Sequence, residues 1–198
     1  NTDFSGNPNV YSVGMPSGVA VGDLCVLVVG GNRGHKQLFG EIGGETPITL
    51  YGRSNSPTEN NPCFHLFYDF LDATQVSNNL VSMNKSGSTP QDPSMAAVFF
   101  RGVSTFPTQT TTNDGGSGGV PNVPVACDLA IVAFVDENAS GGSYSTPSGF
   151  TKAIEQPCTN ATGHSVLYYK IDTIASGTTI SSITSVNKPS VSTLGFTI

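Results

Sequence analysis

The sequence predicts an all-β protein, a two-sheet antiparallel β-sandwich of jelly-roll-like type with an internal pseudo-repeat. Two features of composition support this: 23 glycines and 13 prolines occur in 198 residues, and charged residues make up only 11%, against about 25% in an ordinary soluble domain. A third is the alternation of short apolar runs with turn-forming residues. Coiled coils and helical bundles, which are rich in Ala, Glu, Lys, Leu and Arg, are excluded.

Six apolar or aromatic runs predict the strands of the core. Most are rich in β-branched or aromatic residues, as buried strands are. In chain order they cover residues 24–29, 64–71, 95–100, 129–135, 166–171 and 194–198. No long segment keeps apolar residues at helical spacing without Gly or Pro, so we expect no helix.

The chain also repeats itself. Asp23-Leu24 and Asp128-Leu129 each open a buried run, and residues 65–73 align with residues 165–173. The two halves cover about 10–103 and 121–198, joined by a Gly/Thr-rich linker, 104–120. Four or five strands alone cover an apolar sheet face poorly. We therefore favour one domain over 1–198, with two small β-domains of the same boundaries as the alternative.

Charge argues against two classes of partner. The chain has 8 basic and 14 acidic residues, a formal net charge of −6, and no basic cluster to neutralise phosphates. We expect no binding to nucleic acid or to an anionic membrane surface. The longest apolar run, 24–29, is far shorter than the roughly 20 residues of a transmembrane helix, and the first ten residues lack the features of a signal peptide.

No residue pattern indicates catalysis, a cofactor or a metal. His65 and His164 lie in or beside matching aromatic strands and could approach each other if the halves packed symmetrically, but no third ligand is indicated. The acidic residues weighed for polysaccharide cleavage form no motif and are expected to be solvated: Glu41, Glu45, Asp136 and Glu137. We predict a protein that is not an enzyme.

The four cysteines fall into two kinds. Cys25 and Cys127 lie within apolar runs, where a buried free thiol is the usual state. Cys63 and Cys158 each follow a proline just before a strand, and a disulfide between them is left open. No pair has CxxC spacing, so no structural zinc site is expected.

Several short motifs, read in order, resemble a known family. PSGVAVGDL (16–24) precedes an apolar strand, LFY (66–68) lies in the next aromatic strand, and FFRGV (99–103) closes the first half. TPSGFT (146–151) precedes VLYYK (166–170) in the second half. This order is similar to the jelly-roll-like β-sandwich modules of tailed-bacteriophage structural proteins, which occur in tail fibres, head fibres and capsid decoration proteins. The first half lacks a clear TPSGFT; residues 45–49 are the nearest counterpart.

The resemblance implies a non-enzymatic virion structural protein that decorates or cements the capsid, or is exposed on the head. Its partners would be the major capsid protein or other virion proteins, and it would form a homo-oligomer, for which a trimer is one arrangement. It would be located in the virion, on the capsid surface or else in the tail, after assembly in the host cytoplasm. The alternative is a receptor-binding tail-fibre tip that binds a host glycan through Tyr11, Tyr51 and Tyr144.

Two segments are expected to be surface loops that contact a partner, since loops on a rigid scaffold commonly carry binding. They are the Gly-rich segment 32–61 and the linker 104–120. The residues expected to make partner contacts are Arg33, His35, Lys36, Tyr51, Arg53 and Tyr144.

Overall fold

The computed structural model describes residues 10–31, 37–53, 63–86, 94–110, 120–136, 144–157, 164–183 and 190–197. These residues form twelve strands in three antiparallel sheets and one short helix. The predicted all-β, sandwich-like fold is confirmed. The strands of the described residues are distributed over three sheets, where the sequence analysis expected two.

The first half of the chain forms two of these sheets. Its elements are β1 (Val10–Gly14), β2 (Leu24–Gly31), β3 (Gln37–Ile42), β4 (Ile48–Arg53), β5 (Cys63–Phe70), α1 (Ala73–Asn78), β6 (Leu80–Ser86) and β7 (Ser94–Phe100). Sheet A has the strand order β1-β6-β3, and sheet B has the order β4-β5-β2-β7. All pairings are antiparallel.

The second half forms sheet C. Its strands are β8 (Thr108–Thr110), β9 (Cys127–Asp136), β10 (Thr151–Pro157), β11 (His164–Ile174) and β12 (Ser190–Phe196), in the order β10-β11-β9-β12-β8. Each of the six apolar runs predicted from the sequence falls within or overlaps a strand. Strand β8 comes from the predicted linker.

The sheets are stacked, with sheet B in the middle. One apolar core lies between sheets A and B, a second lies between sheets B and C, and a third lies on the outer face of sheet C. Residues from 120–125, 144–150 and 180–183 cover that outer face. Strand β2 supplies both faces of sheet B: Leu24, Val26 and Val28 pack toward sheet C, and Cys25, Leu27 and Val29 pack toward sheet A. Burial on both faces explains its uninterrupted apolar run.

Glycines set the spacing between the sheets at two positions. A Cβ built on Gly40 of β3 would lie 2.7 Å from Phe67 Cδ2, and one on Gly30 of β2 would lie 2.4 Å from Val135 Cγ1. Neither position has room for a larger residue without movement of its neighbours. Gly40 therefore allows sheet A to pack on sheet B, and Gly30 allows sheet B to pack on sheet C.

The internal repeat is visible in the strand order. Strand β2 lies between β5 and β7 in sheet B, as β9 lies between β11 and β12 in sheet C. Strands β4 and β10 both carry a register shift near their start, between Thr49 and Tyr51 and between Lys152 and Ile154. Residues 45–49 therefore lead into β4 as TPSGFT leads into β10.

The structure corrects the alignment of the two halves by one residue. Val26 is opposite Tyr68, whereas the equivalent Ile131 is opposite Tyr169 rather than Tyr168. Tyr68 accordingly corresponds to Tyr169. A one-residue slip inverts the face of every side chain in a strand, and the adjacent tyrosines of the second half fit either alignment by sequence alone.

Two expectations about local structure are wrong. The segment 32–61, expected to be a loop, contains strands β3 and β4. A six-residue helix, α1, occurs where none was expected. It begins with a capping box, in which the Asp72 carboxylate accepts the Gln75 N–H at 2.8 Å and the Gln75 amide oxygen accepts the Asp72 N–H at 2.9 Å. Asn79, with φ 52°, ends it.

Candidate functional site

An open groove of about 510 Å³ runs along β7, the strand at one edge of sheet B. One wall is the segment 16–19 with Asp23, and the other is formed by Ala153, Tyr169 and Ile171 of sheet C. Residues 97–101 lie between them. We call this the β7 groove. No strand of the described residues pairs with the outer edge of β7.

An ion pair closes one end of the β7 groove. Arg101 Nε donates to Asp23 Oδ1 and Arg101 Nη2 donates to Asp23 Oδ2, each at 2.9 Å. Arg101 Nη2 also donates to the Gly18 carbonyl at 2.7 Å, and the Ala20 N–H donates to Asp23 Oδ2 at 2.9 Å. The Arg101 hydrogen bond, assisted by that of Ala20, holds the pKa of Asp23 below its usual value against the effect of burial.

The sheet C side of the groove is apolar. The rings of Phe100 and Tyr169 meet edge to face, with centroids 5.4 Å apart. Ile171 is 59% exposed, which is unusual for a large aliphatic side chain on a strand that is otherwise buried over most of its length. The groove therefore combines an apolar wall, an unpaired strand edge and a charge pair that is already neutralised.

A second polar cluster lies at the other surface of sheet C. Lys152 Nζ donates to the Tyr144 carbonyl at 2.7 Å and to Glu155 Oε2 at 2.6 Å. Glu155 Oε1 lies 3.8 Å from His164 Nδ1, and the His164 ring meets the Tyr144 ring edge to face at 5.2 Å. Lys152 Nζ is 5.9 Å from the centroid of the Tyr168 ring. Through these hydrogen bonds, Lys152 holds the segment that precedes β10 against sheet C.

Burial controls protonation in this cluster. His164 is 2% exposed, and desolvation lowers its pKa, although the carboxylates of Glu155 and Asp136 oppose that shift. Burial likewise raises the pKa of the Tyr168 hydroxyl. At neutral pH the imidazole and the phenol are both uncharged. These groups support packing of the covering segments.

The two histidines do not approach each other. His65 stacks on Phe67, with centroids 6.1 Å apart, and so faces sheet A, whereas His164 shares a face with Val166 on the outer side of sheet C. Burial lowers the pKa of His65 to about 4. Among the described residues, no group of three or more His, Cys, Asp or Glu side chains could hold a metal ion.

Two of the carboxylates considered for polysaccharide cleavage, Glu41 and Asp136, lie in different sheets. Glu41 lies on β3 in sheet A, where its two carboxylate oxygens accept from Ser82 Oγ at 2.9 Å and Asn84 Nδ2 at 2.8 Å. Asp136 is fully buried at the end of β9 in sheet C. Glu45 is exposed in the turn after β3, where its backbone is bridged to Ile42. Glu137 lies outside the described residues.

The residues predicted to contact a partner are placed unevenly. Arg33, His35 and Lys36 lie outside the described residues, and Tyr51 and Arg53 lie in β4 with side chains that are also outside the description. Tyr144 is 3% exposed and packs on Phe134, so it belongs to the core and not to a contact loop. Its loop-like sequence context concealed that it covers the outer face of sheet C.

Cys25 and Cys127 are buried free thiols, as predicted. Burial raises the pKa of both. Cys158 and the side chain of Cys63 lie outside the described residues.

The β7 groove was not predicted from the sequence. Its two walls come from residues about 150 positions apart in the chain, and no local pattern joins them. The signal that was present is the pair of motifs PSGVAVGDL and FFRGV, which supply Asp23 and Arg101.

Comparisons of this chain with protein-family models, with curated proteins and with solved structures find no match. Within the ranges that the structure describes, no helix has the length and apolar character needed to cross a membrane.

Proposed function

We propose that this chain is a non-enzymatic structural protein of a tailed-phage virion, which decorates or cements the capsid or is exposed on the head. The observation that supports this most directly is the ion pair between Asp23 and Arg101. It joins two of the motifs through which the sequence resembles phage structural modules. In the structure those motifs have an architectural role, because together they shape the β7 groove.

The chemistry of the groove supports a binding role. The Asp23 carboxylate is occupied by Arg101 and by the Ala20 N–H, so it is poorly placed to act as a base or nucleophile. The remaining wall residues Phe100, Tyr169 and Ile171 offer apolar contact area. Such a surface acts by complementarity with a partner, here the major capsid protein or another virion protein.

In this proposed role, residues 1–198 act as one domain of two related halves. Strand β8 leaves the first half and pairs with β12 of the second, and sheets B and C share a continuous apolar core. The proposed location is the virion surface, with the chain present as a homo-oligomer. The proposal involves neither nucleic acid nor a membrane.

The alternative, a glycan-binding tail-fibre tip, is weakened by the placement of its tyrosines. Tyr11 and Tyr144 are each 3% exposed, so neither ring can form a stacking platform for a sugar. The third, Tyr51, has a side chain outside the described residues.

Quantitative mass spectrometry of the purified virions from which the chain derives tests the proposal. Hundreds of copies per particle, in simple ratio to the major capsid protein, would support a decoration or cement role. A few tens of copies would indicate a location in the tail or at a vertex and would favour the receptor-binding alternative. Absence from the particle would overturn the proposal.

A binding assay with capsids that lack this protein sharpens the result. Purified wild-type protein should sediment with the capsids, and a variant with its groove blocked, Ile171→Lys, should do so less. Ile48→Lys is the matched control, since Ile48 is also an exposed aliphatic residue but lies in β4, at the edge of sheet B opposite β7. Equal binding by all three proteins would place the contact elsewhere on the molecule.

A further inference from the structure

The two halves of the protein present equivalent strand edges, and within the described ranges a further strand pairs with only one of them. Strand β12 in sheet C corresponds to β7 in sheet B, because Phe196 is opposite Leu129 as Phe100 is opposite Leu24. Strand β8 pairs with the outer edge of β12. Among the described residues nothing pairs with the outer edge of β7.

The covered edge shows how such an edge is completed. Residues Thr108, Gln109 and Thr110 pair antiparallel with residues 193–195 of β12. Just before them, Phe106 rests against Tyr68 and Phe70 in edge-to-face contacts, with centroids 6.3 and 6.0 Å apart. One extended segment thus supplies both a strand and an aromatic side chain.

The edge of β7 offers the same two features to such a segment, a strand edge and a pair of adjoining apolar side chains. By the register of the two halves, residues 193–195 correspond to residues 97–99 of β7, which line the β7 groove. Tyr68 and Phe70, which support Phe106, correspond to Tyr169 and Ile171, which form the apolar wall of that groove. The 59% exposure of Ile171 indicates that this apolar site is uncovered, whereas its counterpart Phe70 contacts Phe106.

We propose that the β7 groove binds an extended segment of another protein, which adds to sheet B as a strand antiparallel to β7. An aromatic or large aliphatic side chain of that segment packs on Tyr169 and Ile171, as Phe106 packs on Tyr68 and Phe70. Strand addition of this kind draws affinity from main-chain hydrogen bonds and specificity from the side-chain seat. The inference rests on the proposed function only in that the chain acts by binding.

The occupant is an uncharged segment contributed in trans. The charges in the groove, Asp23 and Arg101, already neutralise each other at 2.9 Å, so a charged segment would gain no partner there. The chain's own segment with the matching pattern, residues 104–110, is engaged on sheet C through Phe106 and β8. That segment nevertheless defines the chemistry of the occupant: Ser and Thr residues around one aromatic side chain.

A synthetic peptide with the sequence of residues 104–110, Ser-Thr-Phe-Pro-Thr-Gln-Thr, is the probe. Labelled with a fluorophore, it should bind the full-length protein saturably by fluorescence anisotropy. The same peptide with Ala in place of Phe should bind about two- to tenfold more weakly, since it loses edge-to-face contacts of a ring that is only partly covered, as Phe106 is 71% exposed on Tyr68 and Phe70. In the protein, Ile171→Lys should weaken binding by a similar factor, and the matched control Ile48→Lys should leave it unchanged.

Backbone NMR of the protein with and without peptide locates the contact. The expected shifts map to residues 97–101 and to Tyr169 and Ile171. No saturable binding of the Phe peptide, equal binding of the Ala peptide, or equal binding to Ile171→Lys would each overturn the inference. Self-association of the wild-type protein that Ile171→Lys abolishes would identify the occupant as a second copy and overturn the commitment to a different protein.

The two proposals fail separately. A protein that is abundant in virions but binds no peptide would leave the proposed function standing and overturn the groove inference. A protein that binds the peptide at β7 but is absent from virions would do the reverse.

Discussion

Asp23 and Arg101 are joined by two contacts of 2.9 Å each, although they lie at opposite ends of the first half of the chain. Asp23 directly precedes β2 and Arg101 directly follows β7, and the neighbouring residues Leu24 and Phe100 are opposite each other in sheet B. The ion pair therefore continues the strand pairing by one position. The Asp23 side chain is 8% exposed and that of Arg101 is 68% exposed. Loss of the contact therefore costs the buried carboxylate more than it costs the exposed guanidinium.

Replacing this carboxylate should destabilise the protein. Asp23→Ala removes the acceptor of Arg101 and of the Ala20 N–H, and we expect the free energy of unfolding to fall by about 1–3 kcal/mol in urea denaturation at pH 7. Asp172→Ala is the control: the Asp172 side chain is 60% exposed beside Lys170, and its loss should change stability by less than about 0.5 kcal/mol. Equal effects of the two substitutions would contradict this view of Asp23.

The same variant has a pH signature. The pKa of Asp23 is lowered in the folded protein from 3.8, so its stabilising effect is present above that value and is lost as the pH falls through the lower folded pKa. The stability difference between wild type and Asp23→Ala should accordingly narrow in strong acid. A difference that is constant down to pH 2 would show that the carboxylate charge is not what stabilises the contact.

The packing of sheet B on sheet C depends on Gly30. A methyl group at this position would meet Val135 Cγ1 at 2.4 Å, and we expect Gly30→Ala to cost about 1–3 kcal/mol through overpacking. Adding Val135→Ala should relieve the clash, so that the double variant is more stable than the sum of the single effects predicts. Strict additivity in a double-mutant cycle would mean that the two residues do not touch.

Buried histidines should make the protein lose stability in mild acid. The pKa of His65 is about 4 in the folded protein against 6.5 ordinarily, so between these values the unfolded chain binds a proton that the folded protein does not. Stability should fall by at most about 1.4 kcal/mol per pH unit from this residue as the pH drops from 6.5 to 4. His164, also shifted down by burial, acts in the same direction.

The variant His65→Phe isolates this contribution. Phe retains a ring for the stack on Phe67 but cannot be protonated. The free energy of unfolding of the variant should therefore depend less steeply on pH between 6.5 and 4 than that of the wild type. Urea denaturation at half-unit pH steps measures the slope. Identical slopes for wild type and variant would exclude His65 as a source of acid sensitivity.

The thiols of Cys25 and Cys127 should be inert in the native protein. Cys25 is fully buried and Cys127 is 5% exposed, and burial raises the pKa of both, so the reactive thiolate is scarce. Maleimide labelling followed by peptide mass mapping should leave both unmodified in buffer and modify both in denaturant. Rapid native labelling of Cys25 would contradict its place between sheets A and B.

The sequence was most informative where burial is complete. Strands such as β2 and β9 are covered on both faces, and the resulting runs of apolar residues are hard to mistake. Strand β3 was missed because Gly40 resembles a loop residue in sequence. In the structure it is glycine because a side chain there would meet Phe67 and Leu27, and no local pattern reports such a contact.

The candidate site was less predictable than the fold. The two motifs that shape the β7 groove could be recognised in the sequence. Their contact in the structure depends on the pairing of β2 with β7 and on the packing of sheet B on sheet C. Tyr144 illustrates the opposite error: polar neighbours indicated a surface position, and yet its ring fills a gap over Phe134. The capping residues Asp72 and Gln75 of helix α1 can be recognised in the sequence, but the helix is too short to show helical periodicity.

The pairing of β8 with β12 has a consequence for the order in which the protein can form. Strand β8 emerges from the ribosome directly after the first half, whereas β12 is translated only after every other strand of sheet C. Closing so long a loop is costly in chain entropy and slows contacts of this kind. Sheets A and B can form early, whereas residues 108–110 have no partner strand until β12 is made, and during that interval the backbone hydrogen-bonding groups of β8 that pair with β12 are unsatisfied.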